Sequence, residues 1–302
     1  MNNNNYGYSF NEIIVQDNEF IKKGKNNYGI KKINNEIDFY NEITNNNINF
    51  KIPRLIDYDN GILKIEYLKN STILTNIINE NNFENYLHLI FDKLKNIHII
   101  TKNVSKQIIE NDILEEIQNK VKSRFNETNW NTFDEFNKIK SVNGIKIKSI
   151  DCYIEKIKSN IFDIINKTNI HEYSLIHGDI HLNNILLNYD DNQMYFIDPR
   201  GYFGNTKLFG LKSYDYGKLL FGLSGYSFFD NMNIDYLQIN DNGDIKIDFI
   251  TKFEFIFDTT IFDRISILFA LSIWLANNSC FVNINKKITS MMIAYYYCEK
   301  YT

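Results

Sequence analysis

Proline and glycine are scarce in this chain, at 2 and 13 of 302 residues. With an ordinary apolar share of 44% and charged share of 23%, that scarcity excludes a globally disordered chain. Cysteine is scarce as well. Cys152, Cys280 and Cys298 lie far apart and form no metal-binding spacing; an odd, sparse set fits buried thiols in a reducing compartment. Long hydrophobic runs are missing. The longest, residues 265–276, is too short to span a bilayer and is flanked by Asp263, Arg264 and Asn277, so it reads as a buried helix. The N-terminus has no basic stretch followed by an apolar one, which leads us to expect a cytoplasmic protein with no membrane partner. Excess positive charge is absent: the net charge is −4, so no nucleic-acid partner is indicated. What the chain has in abundance is Asn and Ile, which reads as the compositional bias of an AT-rich genome.

The apolar pattern divides the chain. Glu12–Val15 and Glu19–Lys22 read as short strands around a turn at 16–18. Ile33, Ile37, Tyr40 and Ile43 recur at helical spacing over 31–43. Leu55–Tyr58 and Ile62–Tyr67 flank Asp59-Asn-Gly61, a strong hairpin turn. From Ser71 onward helices take over, at 82–100, 111–125, 148–165 and 213–223, with closing helices at 257–276 and 285–301. Short strands at 174–176, 185–187 and 194–197 interrupt them. A second hairpin is expected over 234–249, around Asn240-Asp-Asn-Gly243. The order predicts an α+β chain with a small sheet-rich part over 1–70 and a larger, mainly helical part over 71–302. A ligand cleft is expected between them.

The most specific signal is His177-Gly-Asp-Ile-His-Leu-Asn-Asn184, followed by Ile197-Asp-Pro-Arg-Gly201. Asp179, Asn184 and Asp198 are the minimal set for moving a phosphoryl group. Asp179 can orient an acceptor hydroxyl and take its proton. Asn184 and Asp198 offer hard oxygen ligands for Mg²⁺, whose charge a phosphate-binding site lined by carboxylates requires.

These segments resemble the aminoglycoside phosphotransferase and choline kinase-like superfamily, in the Ile-Asp-Pro-Arg-Gly variant similar to members from surface-polysaccharide gene clusters. The resemblance implies a bilobal protein-kinase-like fold and an ATP- and Mg²⁺-dependent kinase. Its acceptor would be a small-molecule hydroxyl, such as that of a sugar, polyol or similar metabolite. The family's catalytic loop falls on His177, Gly178, Asp179 and Asn184, and its second metal aspartate on Asp198. Asp215 matches an aspartate that braces the loop by bonding its backbone amides, with His177 also in a supporting role. His181 is expected to brace the loop too.

The family also implies a phosphate-binding lysine on a strand and a glutamate on the next helix. Lys22 and Lys23 are candidates; neighbours on a strand face opposite ways, so only one can enter the site. The family's apolar-apolar-Lys pattern points to Lys22, with Glu36 as its partner and Glu42 as the alternative. Lys64-Ile-Glu-Tyr-Leu68 resembles the hinge, where adenine would bond backbone groups near Glu66 and Leu68. The stretch 5–10 holds one glycine and departs from a Gly-rich loop; Ser9 and backbone amides would cover the phosphates there. Gly178 stands where protein kinases carry an activation-loop-reading arginine, which favours a small-molecule acceptor. Arg200 has two readings, a contact to an anionic acceptor or phosphate and a structural bridge. The aromatics at 226–229 and 295–297 are read as core, with an acceptor pocket as the alternative. A nucleotide-binding pseudokinase and a protein Ser/Thr kinase are the alternative functions.

Overall fold

The computed structural model describes residues 10–79, 81–168 and 170–302. Packing divides these into two compact units, 10–104 with 172–215 and 105–171 with 216–302. This grouping differs from the boundary expected at residue 70. Residues 196–207 are bonded to the first part of the chain, through Phe196 N–H to the Lys51 carbonyl at 2.9 Å and Lys207 to Asp38 at 3.0 Å.

The first unit is built on a four-stranded antiparallel sheet. Its strands are β1 (Asn11–Gln16), β2 (Glu19–Gly24), β3 (Leu55–Asp59) and β4 (Ile62–Glu66), in the order β1-β2-β4-β3. Asp17 and Asn18 both take positive φ, as a two-residue hairpin turn between twisted strands requires. Helix α1 (Asn27–Asn45) starts where the Asn26 side chain accepts the Gly29 amide at 2.9 Å. Ile33, Ile37 and Tyr40 form its apolar stripe and pack on Leu63 and Ile65 of β4, with Phe20, Ile52 and Leu55 at the margin. Each fully buried aliphatic side chain here contributes about 1.5–3 kcal/mol.

Further along, β5 (Ser71–Ile73) pairs with the strand Ile185–Asn188, which pairs in turn with Gln193–Phe196. Helix α2 (Phe83–His98) precedes β6 (Thr101–Asn103), and β6 pairs with Glu172–Leu175. The loop at 176–184 therefore leaves one anchored strand and enters another, which fixes both of its ends.

The second unit is mainly helical. Its helices are Lys106–Leu114 and Lys120–Asn126, joined by one wide turn over 115–119, then Ile150–Thr168, Arg264–Ala276 and Ile284–Tyr301. The segment 265–276 is a buried helix, apart from half-buried Ile267. It starts at Arg264, and not at Phe257 as expected. The Asp263 side chain accepts the Ser266 amide at 2.7 Å and caps the helix there, leaving 254–258 as a separate tight turn. Trp274 donates to Ser224 at 2.8 Å, Tyr297 donates to the Ser224 carbonyl at 2.8 Å, and Tyr295, Tyr296 and Tyr297 are buried. The aromatics at 226–229 and 295–297 are thus largely core packing.

Two expectations hold only in part in this unit. The hairpin over 234–249 forms only near its turn, where the Asn240 carbonyl accepts the Gly243 amide at 2.9 Å and the Asp244 carbonyl accepts the Asn240 amide at 3.0 Å. Gly243 gives its carbonyl to the Lys140 amide at 2.8 Å, and Asp244–Ile245 pairs parallel with Ser141–Val142. Beyond the turn the expected pairing keeps an isolated bridge between Ile239 and Ile245 and the Lys246 amide's bond to the Gln238 carbonyl at 2.9 Å. The thiols are not all buried either: Cys298 is, but Cys152 and Cys280 are exposed. Among the described residues no helix is long and apolar enough to cross a membrane.

Candidate active site

All the described residues singled out for the site lie in the first unit; Ser9 lies outside the described residues. The register of β2 on β4 places the lysine. Phe20 opposes Ile65 and Lys22 opposes Leu63. Leu63 and Ile65 face α1, and opposed residues share a face, so Lys22 points at the helix and Lys23 points away. Lys22 is buried and its ammonium reaches Glu36 at 2.7 Å and Asp198 at 2.6 Å. Glu42 instead accepts from Asn46 at the end of α1.

The charges of this trio are unequal. Burial would depress Lys22, but Asp198 and Glu36 more than offset it and hold the ammonium well above the ordinary lysine value. Burial raises the Glu36 carboxyl to about 7 against the pull of Lys22, and the Asp198 charge adds to the rise. Asp198 moves the other way: the Lys22 charge holds it below the ordinary carboxylate value. Its side chain is 57% exposed, against 4% for Glu36. Two carboxylates therefore share one ammonium, and the outer one stays ionised and open to a ligand.

The loop at 177–184 is braced from below. Buried Asp215 accepts the His177 amide at 3.0 Å, the Gly178 amide at 2.6 Å and the His98 ring Nε2 at 3.0 Å. Gly178 has φ +78°, and a Cβ there would meet the Arg200 Cβ at 3.1 Å, so both conformation and space call for glycine. His177 packs edge-on to Phe39 and Phe50, and burial lowers its pKa to about 4, so it is neutral. Its Nδ1 accepts the Asp179 amide at 3.3 Å.

Asp179 is half-buried, with the His181 Nε2 4.0 Å from its carboxylate. Asn184 donates its side-chain amide to the Asp179 carbonyl at 2.9 Å, so only its oxygen is left for a ligand. Among the described residues no three His, Cys, Asp or Glu side chains cluster into a self-sufficient metal site. The Asp198 carboxylate and Asn184 oxygen fit a hard divalent cation that completes its shell with water and phosphate oxygens.

Arg200 hydrogen-bonds the Tyr214 hydroxyl and lies 3.9 Å over the Tyr202 ring. Glu66 commits its backbone N–H to the Arg54 carbonyl at 2.9 Å. The Leu68 carbonyl accepts from the Ser71 hydroxyl at 2.6 Å. A cavity of about 440 Å³ with mixed polar and apolar walls lies elsewhere, between α2 and the 187–194 hairpin, and includes none of the singled-out residues. Sequence reasoning missed His98 and also Lys32, which lies one helical turn before Glu36. The i, i+4 spacing from Glu36 was the signal for Lys32; nothing local signals His98.

The ecdysteroid kinase-like family model matches residues 89–199. That span contains the 177–184 loop and Asp198, but not Lys22, Glu36 or Asp215. No curated protein sequence matches the chain. Among solved structures the chain is similar to APH(2'')-IIa in its gentamicin complex, at 15% identity and a TM-score of 0.52, covering 97% of this chain and 88% of that one. It is similar to the choline kinase LicA from Streptococcus pneumoniae at 11% identity and a TM-score of 0.51, covering 97% and 90%. The streptomycin–ATP ternary complex of APH(2'')-IIa matches at 14% identity and a TM-score of 0.50, covering 95% and 91%. The chain has the kinase-like fold of these proteins, mixed α+β, with a small antiparallel sheet in its N-terminal region and a helical C-terminal region.

Proposed function

We propose that this protein is an ATP- and Mg²⁺-dependent phosphotransferase that moves the γ-phosphate to a hydroxyl of a small molecule. The observation that carries the reading is the convergence of Asp179, Asn184, Asp198 and the Lys22–Glu36 pair in one compact unit of a kinase-like fold. A structurally similar protein, APH(2'')-IIa, is known with ATP and streptomycin bound together, which supports nucleotide use here.

In this reading residues 1–70 serve as the N-lobe and 71–302 as the C-lobe of a cytoplasmic enzyme. Lys22, held by Glu36, binds nucleotide phosphates. Backbone groups near Glu66 and Leu68 meet the adenine, with Leu68 the better donor because the Glu66 amide is already committed. Asn184 and Asp198 would hold Mg²⁺, which supplies charge stabilisation for the phosphates when bound. Asp179 orients the acceptor hydroxyl for in-line attack and takes its proton late in the transfer. His177 and Asp215 keep that carboxylate in place, and Arg200 meets the acceptor. A sugar, polyol or similar metabolite is the acceptor class.

The test is a metabolite screen for nucleoside diphosphate release, followed by Asp179→Ala. We expect turnover to fall by about 10³-fold, the size of a lost general base, while calorimetry still detects nucleotide binding. Full turnover in that variant overturns the assignment, and a wild type that releases no diphosphate with any acceptor points to a nucleotide-binding regulator.

A further inference from the structure

The site holds a second lysine that the reading above does not use. Lys32 lies on α1 exactly one i, i+4 step before Glu36, so both side chains leave the same face of the helix. The loop carrying Arg200 runs against this face. Gly201 takes φ +67°, and a Cβ there would come within 2.5 Å of the Asn35 carbonyl oxygen. The loop backbone thus rests on α1 three residues beyond Lys32.

Lys32 is only half-exposed, yet its ammonium makes no ion pair or hydrogen bond among the described residues. Its nitrogen lies 5.3 Å from the centroid of the Tyr28 ring. Burial disfavours its charge and Arg200 opposes it; Tyr202, Tyr28 and Asp179 favour it, and the balance lies above the ordinary lysine value. Both lysines act on Glu36 and Asp198, but only Lys22 is ion-paired with them. Lys22 answers to Asp198 and Glu36, whereas the charged groups that act most on Lys32 are Arg200 and Asp179. Arg200 is fixed flat over Tyr202 and tied to Tyr214. Two cations thus act at the candidate base, and Lys32 has no carboxylate paired with it among the described residues.

We infer that Lys32 and Arg200 form an anion subsite at the Asp179 end of the site, which takes a phosphoryl or carboxylate group carried by the hydroxyl acceptor. The inference rests on the phosphotransferase reading for the word acceptor, but not for the anion site itself. A half-buried ammonium without a counter-ion is costly to leave unpaired, and a ligand oxyanion would give it a charge-assisted hydrogen bond. The same chemistry could come from the nucleotide's own phosphates, so the test separates the two sources.

The probes are glycerol 3-phosphate, a hexose 6-phosphate and a hexuronate, each titrated calorimetrically beside its neutral parent, with ADP and Mg²⁺ present. In the wild type at least one anionic probe should bind about tenfold or more tighter than its parent, the value of one charge-assisted hydrogen bond. Lys32→Met should erase that preference and leave ADP affinity unchanged, and Lys32→Arg should restore it. The inference is overturned if no anionic probe is preferred by the wild type, or if the preference survives in Lys32→Met. It is also overturned if ADP affinity falls in step with the anion's, since Lys32 would then serve the nucleotide. A wild type that binds the anionic probe through Lys32 but neither binds nor consumes ATP would sink the phosphotransferase reading and leave the anion site standing.

Discussion

Two buried polar networks meet at this site, and they are built on opposite terms. Asp215 is saturated. Two backbone amides and the His98 ring occupy its carboxylate, and none of it is exposed. The Lys22 trio is unsaturated by comparison: one ammonium serves two carboxylates, and the more acidic of them, Asp198, faces solvent. A saturated carboxylate holds the backbone in one conformation and has nothing to offer a ligand. An ammonium shared between two carboxylates can change partners when a metal or phosphate arrives. The first arrangement suits bracing and the second suits binding, although both are built from carboxylates and nitrogen donors.

The sharpest way to break this contrast is Asp215→Ala. It leaves two buried amides and a buried imidazole without an acceptor, and should reduce stability by about 3–5 kcal/mol. The denaturant midpoint, at unchanged slope, reads this directly. A loss below about 1 kcal/mol would mean that Asp215 does not brace the loop.

Lys22→Met comes next and should behave differently. Catalytic efficiency should fall by about 10²-fold, as for loss of one electrostatic contact to the reacting phosphate, while stability should respond according to pH. Glu36 has its carboxyl raised from 4.5 to about 7, so the folded protein keeps a proton that the unfolded chain releases. Its contribution is therefore present below about pH 4.5 and is lost as pH rises through 7. Removing the ammonium takes away the group that favours ionised Glu36, so the variant should lose stability over a window that extends to higher pH. Thermal melts of both proteins from pH 5 to 8.5 check this. A variant destabilised equally at every pH would place the trio with the bracing network.

How much of this was legible depends on how local each cause is. Asp179, Asn184, Asp198 and Asp215 fall within 40 residues of one another at the ends of short elements, so their spacing carried through to the site. Strand alternation lets only one of Lys22 and Lys23 enter the site, the family's apolar-apolar-Lys pattern points to Lys22, and the register on β4 turns Lys22 toward α1. The start of the 264–276 helix was also written locally, in Asp263, but the apolar run before it masked the cap. The 234–249 segment was legible only at its turn. Asn240-Asp-Asn-Gly243 is a good turn, but the strand after it is claimed by Ser141–Val142, about a hundred residues earlier in the chain. His98 shows the same limit at the site. Nothing near it in the chain marks it as a partner of Asp215, because α2 brings it there. Arg200 had two readings in the sequence; in the structure it hydrogen-bonds the Tyr214 hydroxyl and lies over the Tyr202 ring.

The smallest effect tests the bracing side from within. His177 is buried against Phe39 and Phe50 and accepts the Asp179 amide, and burial lowers its pKa from 6.5 to about 4 despite Asp215, Asp179 and Asp198 nearby. Below pH 6.5 the unfolded chain takes up a proton that the folded protein refuses until about pH 4, so this group's contribution falls as pH drops through that window. At pH 5.5 the loss amounts to about 1 kcal/mol. Glu36 changes stability in the opposite sense over an overlapping range, so the wild-type profile alone would hide both. The difference between wild type and His177→Phe isolates the imidazole, because phenylalanine keeps the ring packing and removes the proton site. That difference should shrink by about 1 kcal/mol between pH 7.5 and 5.5. If it stays constant, the ring accepts its proton inside the folded protein, and the bracing network is as open to charge as the Lys22 trio.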